Sequence, residues 1–127
     1  MISCVLDASA ILAYLVGESG SREVERLLDE AAVSAVNIAE VAIKLAERGA
    51  PADRIRQTIE ALGVEIIPCD EAIAYQIGDL RRSTKALGLS LGDRACLATA
   101  SQLKVRAITA DRGWKTLKVG VRIHVIR

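Results

Sequence analysis

The chain has 127 residues, of which 51% are hydrophobic and 26% are charged, and its formal net charge at pH 7 is +1. We expect residues 1–127 to form one domain, because this length supports one substantial core and this composition excludes intrinsic disorder. Aromatic residues make up only 2% of the chain, which argues against a stacking surface for bare bases.

Hydrophobic periodicity predicts a chain of short strands and helices. The first half of the chain is predicted to contain a strand over 2–6, a helix over 8–16, a helix with Val24, Leu27, Leu28 and Ala31 on its inner face, a strand over 33–36 and a helix that Asn37 opens and Gly49 ends. The second half is predicted to contain a helix over 52–62, a strand over 64–67, helices over 70–86 and 91–103, and strands over 107–109 and 121–125. Strands that alternate with helices favour right-handed parallel crossovers. The sequence therefore predicts an α/β fold, a three-layer α/β/α sandwich with a small, mainly parallel sheet.

Membrane and secretion signals are not found in the sequence. No run of about 18 uncharged apolar residues occurs, so no membrane span is expected. The apolar opening is interrupted by Asp7 and has no basic leader, which argues against a signal peptide. The three cysteines, Cys4, Cys69 and Cys96, lie far apart, as is typical of reduced thiols. We therefore expect a cytoplasmic protein.

The charges are distributed unevenly along the chain. Residues 1–80 hold 14 acidic and 6 basic residues, whereas residues 81–127 hold 11 basic and 2 acidic residues. A basic C-terminal third suggests an anionic partner. The alternative is a solvated basic face beside an acidic one.

Four acidic residues occupy positions that the predicted topology brings to one edge of the sheet. Asp7 and Asp111 follow the predicted strands at 2–6 and 107–109, and Glu40 and Asp93 lie in the first turns of predicted helices. Ligands of parallel α/β sheets bind outside the carboxyl ends of the strands. The four carboxylates are therefore candidate site residues.

Each of these acids also has a purely structural interpretation. The segments from Asn37 to Glu40 and from Ser90 to Asp93 match the capping-box pattern. Asp7 could cap the first helix, and Asp111 could close an Asx turn.

Together the four carboxylates indicate a cation, because like charges in one crevice repel each other unless a cation lies between them. Oxygen ligands alone favour Mg²⁺ or Mn²⁺ over zinc. Magnesium is usually held by carboxylates together with substrate phosphates. A basic surrounding sequence suits a polyanionic substrate, and metal-dependent phosphodiester hydrolysis is the chemistry that this combination favours.

The chain resembles the four sequence blocks of PIN domains in the segments LDASAILAYLVGE, NIAEVAIKLAERG, LSLGDRACLATA and AITADRGW. More narrowly, these segments are similar to those of VapC, the toxin of bacterial and archaeal VapBC toxin–antitoxin pairs. The resemblance covers essentially the whole chain. It departs from the family pattern at two points: Trp114 stands where Phe is more common, and no further acid follows Asp111, which leaves fewer ligands for a second metal.

The resemblance implies a set of catalytic and metal-binding residues, Asp7, Glu40, Asp93 and Asp111. Asp7 and Asp93 would hold the principal Mg²⁺ or Mn²⁺ ion, and the other two acids would complete the site directly or through water. The family's two hydroxyl residues correspond to Ser9 and Thr109, which would support the carboxylates.

The function that the resemblance implies is a metal-dependent endoribonuclease in which attack by water leaves a 5′-phosphate. Arg94 and Arg112, each next to a candidate acid, could contact RNA phosphates or be ordinary surface arginines. The resemblance also implies a homodimer whose groove accepts a segment of a VapB-like antitoxin. We hypothesise that an antitoxin arginine inserts between the carboxylates and competes with the metal.

The same residues leave two other functions open. A haloacid dehalogenase-like phosphatase also places Asp after its first strand, but it needs a second Asp where this chain has Ser9. The other alternative is a catalytically weak binding module that acts mainly through the antitoxin complex. The presence of all four acids argues against that alternative.

Overall fold

The computed structural model describes residues 1–127. The strands are β1 (Cys4–Leu6), β2 (Ala31–Ser34), β3 (Glu65–Ile67), β4 (Arg106–Thr109) and β5 (Ile123–Val125). The helices are α1 (Ala8–Val16), α2 (Ser21–Leu27), α3 (Ala35–Glu47), α4 (Ala52–Glu60), α5 (Glu71–Asp79), α6 (Arg81–Thr84) and α7 (Leu91–Leu103). Short 3₁₀ segments cover Leu28–Glu30, Lys85–Leu87 and Arg112–Thr116. None of the helices has the length and apolar character that crossing a membrane requires.

The five strands form one sheet in the order β3-β2-β1-β4-β5, and every neighbouring pair is parallel. β1 lies at the centre, where Val5 is opposite Ala32 of β2 and Ala107 of β4. Parallel strands require crossover connections and end at a common edge of the sheet. The predicted α/β fold with a mainly parallel sheet is confirmed.

Hydrophobic residues pack on both faces of this sheet. Cys4 and Leu6 face a cluster that includes residues of α1, α3 and α4. Val5 faces the opposite way, towards Cys96 of α7 and the fully buried Trp114, because successive residues of a strand point to opposite faces. Helices therefore cover the sheet on two sides, as the predicted sandwich requires.

Helix α7 lies deep in the protein because its inner residues are small. It packs against β1, β2 and β4 and also contacts α3 and α5. Its fully buried positions include Ala95, Cys96, Ala98 and Ala100. Small side chains let the backbone approach the sheet closely, so the first turn of α7 reaches α3.

The start of α3 differs from the prediction. Asn37 was expected to open this helix, but the helix begins at Ala35 and its cap is Ser34, whose Oγ accepts a hydrogen bond from the backbone N–H of Val36 at 3.2 Å. Asn37 is instead a fully buried residue of the first turn. Glu40 consequently lies in the second turn, and the predicted capping box between Asn37 and Glu40 is wrong.

Other predicted boundaries also move. Ala31, expected on a helix face, begins β2 and pairs with Cys4, so β2 ends at Ser34 rather than at residue 36. The helix predicted over 70–86 is interrupted at Leu80, whose carbonyl accepts hydrogen bonds from the hydroxyls of Ser83 and Thr84. Such side-chain bonds compete with regular helix hydrogen bonding.

Candidate active site

Asp7 is the most buried acidic residue of the candidate site, with 3% of its surface exposed. It follows β1 in an extended conformation, and its main-chain carbonyl accepts the first hydrogen bonds of α1. Its side chain caps no helix N–H. The carboxylate Oδ2 instead accepts hydrogen bonds from Ser9 Oγ at 2.7 Å and Thr109 Oγ1 at 3.0 Å. The capping interpretation of Asp7 is therefore wrong.

The two predicted hydroxyl residues join the ends of β1 and β4. Ser9 Oγ lies 3.2 Å from Thr109 Oγ1 and accepts a hydrogen bond from the backbone N–H of Ala110 at 2.9 Å. Thr109 Oγ1 accepts another from the N–H of Asp111 at 3.1 Å. Because each hydroxyl is fixed by a backbone donor, both can direct their protons towards Asp7.

Glu40 is oriented by Asn37, which also connects α3 to α7. Asn37 Nδ2 donates to Glu40 Oε1 at 2.8 Å and to the main-chain carbonyl of Gly92, in α7, at 3.0 Å. A Cβ added at Gly92 would overlap all three atoms of the Glu40 carboxyl group. Only glycine therefore leaves room for this carboxylate over the first turn of α7. Asn37 Oδ1 is buried and has no hydrogen-bond partner.

Asp93 does form the predicted capping box. Its Oδ2 accepts a hydrogen bond from the backbone N–H of Ser90 at 2.9 Å, and Ser90 Oγ accepts one from the N–H of Asp93 at 3.1 Å. This structural role uses one carboxylate oxygen. Asp93 Oδ1 makes no hydrogen bond within the chain, so the cap leaves that oxygen available to a ligand.

Electrostatics links three of the four acids. The pKa of Asp7 is raised to about 6, mainly by burial; the hydrogen bonds from Ser9 and Thr109 lower it, and the negative charges of Asp93 and Glu40 raise it. None of these three carboxylates forms an ion pair, since the salt bridges of the chain join Lys44 to Glu47, His124 to Glu23 and Arg127 to Glu18. The site therefore carries uncompensated negative charge.

Cys96 lies beneath this group of acids. Complete burial raises the pKa of its thiol, and Asp7, Asp93 and Glu40 raise it further. Cys4 is also buried, with its pKa raised mainly by burial. Both thiols are neutral core side chains, and Cys69 is exposed.

Asp111 lies apart from the other three acids, at the rim of the site. It is exposed, and its Oδ1 accepts a hydrogen bond from the backbone N–H of Gly113 at 2.8 Å, which forms the predicted Asx turn. Its backbone N–H donates to Thr109 Oγ1 at 3.1 Å, and that hydroxyl donates in turn to Asp7 Oδ2 at 3.0 Å. The structure thus groups Asp7, Glu40 and Asp93 electrostatically and places Asp111 at the exposed edge of the site, linked to Asp7 through Thr109.

The two predicted RNA-contacting arginines have different surroundings. Arg94 Nη1 donates to the main-chain carbonyl of Leu89 at 2.8 Å, and its Nε is buried without a partner. Arg112 is exposed, and its Nε donates to the main-chain carbonyl of Arg127 at 3.1 Å. Arg94 therefore secures the loop before α7, whereas Arg112 presents its terminal nitrogens to solvent.

The donor chemistry of the site suits a hard divalent cation. Its side chains offer carboxylate oxygens, and the buried charge of Asp7 is not neutralised by any basic residue. No three acidic, histidine or cysteine side chains converge closely enough to hold an ion between them as they stand. A cation here would therefore need water among its ligands, which is usual for Mg²⁺.

Sequence reasoning missed Asn37 and Gly92 as parts of this site. Asn37 was interpreted as a helix cap because Asn-x-x-Glu is also a capping-box pattern. The only signal for Gly92 was a glycine in the first turn of a helix, where glycine is unfavourable.

An all-parallel α/β/α domain with uncompensated carboxylates at the ends of its strands is suited to binding a cation or a cationic group there. The chain belongs to the PIN domain family, which matches residues 4–119. PIN domains are generally nucleases. The resemblance noted in the sequence is thus confirmed for the family.

Solved structures from toxin–antitoxin systems share this fold. The chain is similar to a chain of DNA-bound VapBC from Salmonella typhimurium, with a TM-score of 0.77, 19% identity and 100% of both chains covered. It is also similar to a chain of a toxin–antitoxin complex from Klebsiella pneumoniae, with a TM-score of 0.73, 23% identity, and 94% of this chain and 95% of that chain covered. For VapBC-1 from nontypeable Haemophilus influenzae the TM-score is 0.72 and the identity 22%, with 98% of both chains covered. Comparison with curated proteins gave no match.

Proposed function

We propose that this PIN domain is a Mg²⁺- or Mn²⁺-dependent endoribonuclease and the toxin of a VapBC-type toxin–antitoxin pair. The observation that carries the proposal is the buried Asp7 carboxylate, which lies within electrostatic range of Asp93 and Glu40 and has no cationic partner. A catalytic metal site accounts for this costly arrangement, whereas a purely structural role does not.

Asp7 and Asp93 would hold the principal cation, and Glu40 and Asp111 would complete the site directly or through water. When bound, the cation supplies Lewis acidity to the phosphate and lowers the pKa of a water molecule. Asp7 Oδ2 is occupied by two hydroxyl donors, which leaves Oδ1 as its free oxygen. Asp93 likewise offers Oδ1, because Oδ2 belongs to the helix cap.

The side chains around the reacting phosphate have separate roles in the proposed reaction. Ser9 and Thr109 orient the Asp7 carboxylate, and neither acts as the nucleophile. Glu40, oriented by Asn37, accepts a proton from the attacking water. The water oxygen bonds to phosphorus as the bond to the 3′-oxygen breaks, the departing 3′-oxygen takes a proton from solvent, and the products are a 5′-phosphate and a 3′-hydroxyl.

The deciding experiment compares RNA cleavage by antitoxin-free protein with Mg²⁺, with Mn²⁺ and with EDTA. Asp93→Asn keeps a side-chain oxygen for the helix cap but removes the charge, so we expect at least a 10²-fold loss of cleavage. Asp70→Asn is the matched control, because Asp70 also accepts a helix-terminal N–H, from Ile73 at 2.9 Å. It should retain full activity.

Two results would contradict this function. Cleavage that persists in EDTA or in Asp93→Asn would refute the metal mechanism. Absence of cleavage across total RNA, in a protein that still forms a tight complex with its antitoxin, would favour the binding module instead.

We also propose that the chain forms a homodimer and binds a VapB-like antitoxin, since the structures with the same fold are complexes of toxin–antitoxin systems. An antitoxin arginine inserted among the carboxylates would neutralise the same charge that a cation does. We expect a co-expressed antitoxin to inhibit cleavage and its Arg→Ala variant to inhibit less, measured by RNA cleavage with purified complexes. A monomeric protein whose activity is unchanged by the antitoxin would disprove this.

A further inference from the structure

A hollow next to the acidic site has a different electrostatic character. Ser9, Ala110, Asp111, Arg112 and Arg127 line it, and its volume is about 500 Å³; we refer to it as the rim hollow. This volume is within the range of small-ligand sites. Two guanidinium groups and one carboxylate line it, and Glu18 forms an ion pair with one of the guanidinium groups. The hollow is therefore close to neutral and rich in N–H donors, whereas the neighbouring site is negative.

The rim hollow and the acidic site share Ser9. Its hydroxyl hydrogen-bonds to Asp7 Oδ2 at 2.7 Å on one side, and the same residue lines the hollow on the other. A group bound in the hollow is therefore one side chain away from the buried carboxylate. This separation suits a phosphate next to the one that reacts.

Both arginines of the hollow are positioned by main-chain carbonyls. Arg127 Nε donates to the carbonyl of Ala110 at 3.3 Å, and Arg112 Nε donates to that of Arg127 at 3.1 Å. An ion pair with Glu18 occupies Arg127 Nη1. The terminal nitrogens of Arg112 and Nη2 of Arg127 make no hydrogen bonds within the chain, so Arg112 keeps a pair of free donor nitrogens and Arg127 keeps one.

The backbone that carries Arg127 is itself fixed. The N–H of Ile126 donates to the carbonyl of Thr109 at 2.9 Å, and Ile126 is buried. It packs against Gly20, where an added Cβ would overlap Ile126. Because this segment is anchored on two sides, Arg127 enters the hollow from a rigid part of the fold.

We infer that the rim hollow is a phosphate subsite, in which Arg112 and Arg127 bind the RNA phosphate next to the one that reacts. The inference rests on the proposed function and adds Arg127 to its residues. Arg112 suits this role because its two free terminal nitrogens can donate to two phosphate oxygens at once, and Nη2 of Arg127 adds a further charged donor.

A purely structural role explains the position of Arg127 less well than phosphate binding does. Its ion pair with Glu18 is partly exposed, with 34% and 46% of the two side chains accessible. Ion pairs of this kind contribute little to stability. Loss of the Arg127 guanidinium should therefore affect RNA binding much more than folding.

The test measures binding of a fluorescently labelled single-stranded RNA by fluorescence anisotropy at several salt concentrations. Asp7→Asn serves as the background, so that RNA is not cut. In that background we expect Arg127→Ala and Arg112→Ala each to weaken binding several-fold. Each should also reduce the slope of log K against log salt by about 0.7, the value for one single-strand phosphate contact.

Two further variants make the result specific. Arg54→Ala removes an exposed arginine of α4, which packs against α3 and away from β5, and should leave both the affinity and the slope unchanged. Arg112→Lys keeps the charge but not the pair of terminal donor nitrogens, so it should retain the slope and still bind more weakly than the parent. Thermal melting of each variant confirms that binding is measured on folded protein.

The outcomes separate this inference from the proposed function. If the parent binds RNA and the Arg112 and Arg127 variants match Arg54→Ala, the subsite is overturned and the nuclease proposal stands. If the parent binds no RNA at low salt, the subsite is overturned as well, and metal-dependent cleavage by the wild type decides the nuclease proposal separately.

Discussion

Asp7→Asn is expected to abolish RNA cleavage and, at the same time, to stabilise the metal-free protein at pH 8. The substitution preserves shape, and an asparagine Oδ1 can still accept the hydrogen bonds from Ser9 and Thr109. What disappears is a buried negative charge that two other carboxylates repel. Activity should fall by at least 10³-fold, because the charge that would hold the cation is lost.

The stability change depends on pH in a defined direction. The pKa of Asp7 is about 6 in the folded protein, against an ordinary value of about 3.9 when unfolded. Between these values the folded state binds more protons than the unfolded state, so wild-type stability falls as pH rises through this window. A difference of about 2 between the folded and unfolded pKa values corresponds to about 3 kcal/mol of unfolding free energy. This is the upper limit of the stability that Asp7→Asn gains over the wild type above pH 6.

The measurement is urea denaturation of both proteins in EDTA between pH 4 and pH 8. The free-energy difference between them should be small at pH 4 and grow to its plateau near pH 7, because the other titrating groups cancel in the comparison. Added Mn²⁺ should stabilise the wild type in proportion to its occupancy and should have little effect on Asp7→Asn. A difference that is constant with pH would show that Asp7 is not an electrostatically strained carboxylate.

The fold and part of the site follow from local sequence pattern. Asp7 and Thr109 end strands that are apolar and short, and parallel topology places such ends at one edge. Their proximity could therefore be predicted without knowledge of the loops. The cap at Ser90 and Asp93 and the turn at Asp111 were also predictable, because their hydrogen bonds span only two or three residues.

The environment of Glu40 could not be predicted in the same way. Ser34 and Asn37 are both good helix caps, and local preference does not choose between them. The choice follows from packing, since Asn37 is fully buried and donates to Gly92, 55 residues away in the chain. The rim hollow likewise depends on Arg127 reaching Ala110 across 17 residues. Contacts of this range leave no periodic pattern in the sequence.

Under the proposed function, these features make the acidic site favour a bound cation at the expense of the stability of the cation-free fold. Asp7 carries a buried charge, and Asn37 keeps one amide oxygen without a partner. Both arrangements lower stability in the absence of a ligand. Gly92 belongs to the same pattern, because glycine is unfavourable in a helix and is needed here only to admit Glu40.

Gly92→Ala is accordingly expected to preserve folding and to impair cleavage. The added methyl group overlaps the end of a flexible side chain, so the Glu40 carboxylate moves while the backbone stays in place. The gain in helix propensity and the loss of the Asn37–Glu40 hydrogen bond are each about 1 kcal/mol, so stability should change little. Displacing a catalytic group by about 1 Å can reduce the rate about 10²-fold, and that is the loss we expect in kcat.

Two comparisons decide whether the effect acts through Glu40. Gly78→Ala is the matched control, because Gly78 also lies in a helix and no atom lies within 4 Å of an added Cβ; it should stabilise the protein and leave cleavage unchanged. In a Glu40→Gln background, Gly92→Ala should cause almost no further loss, since residues that act through one group are not additive. If the two losses multiply instead, Gly92 affects cleavage by a route other than Glu40. The interpretation that Gly92 is needed to make room for a catalytic Glu40 carboxylate would then be wrong.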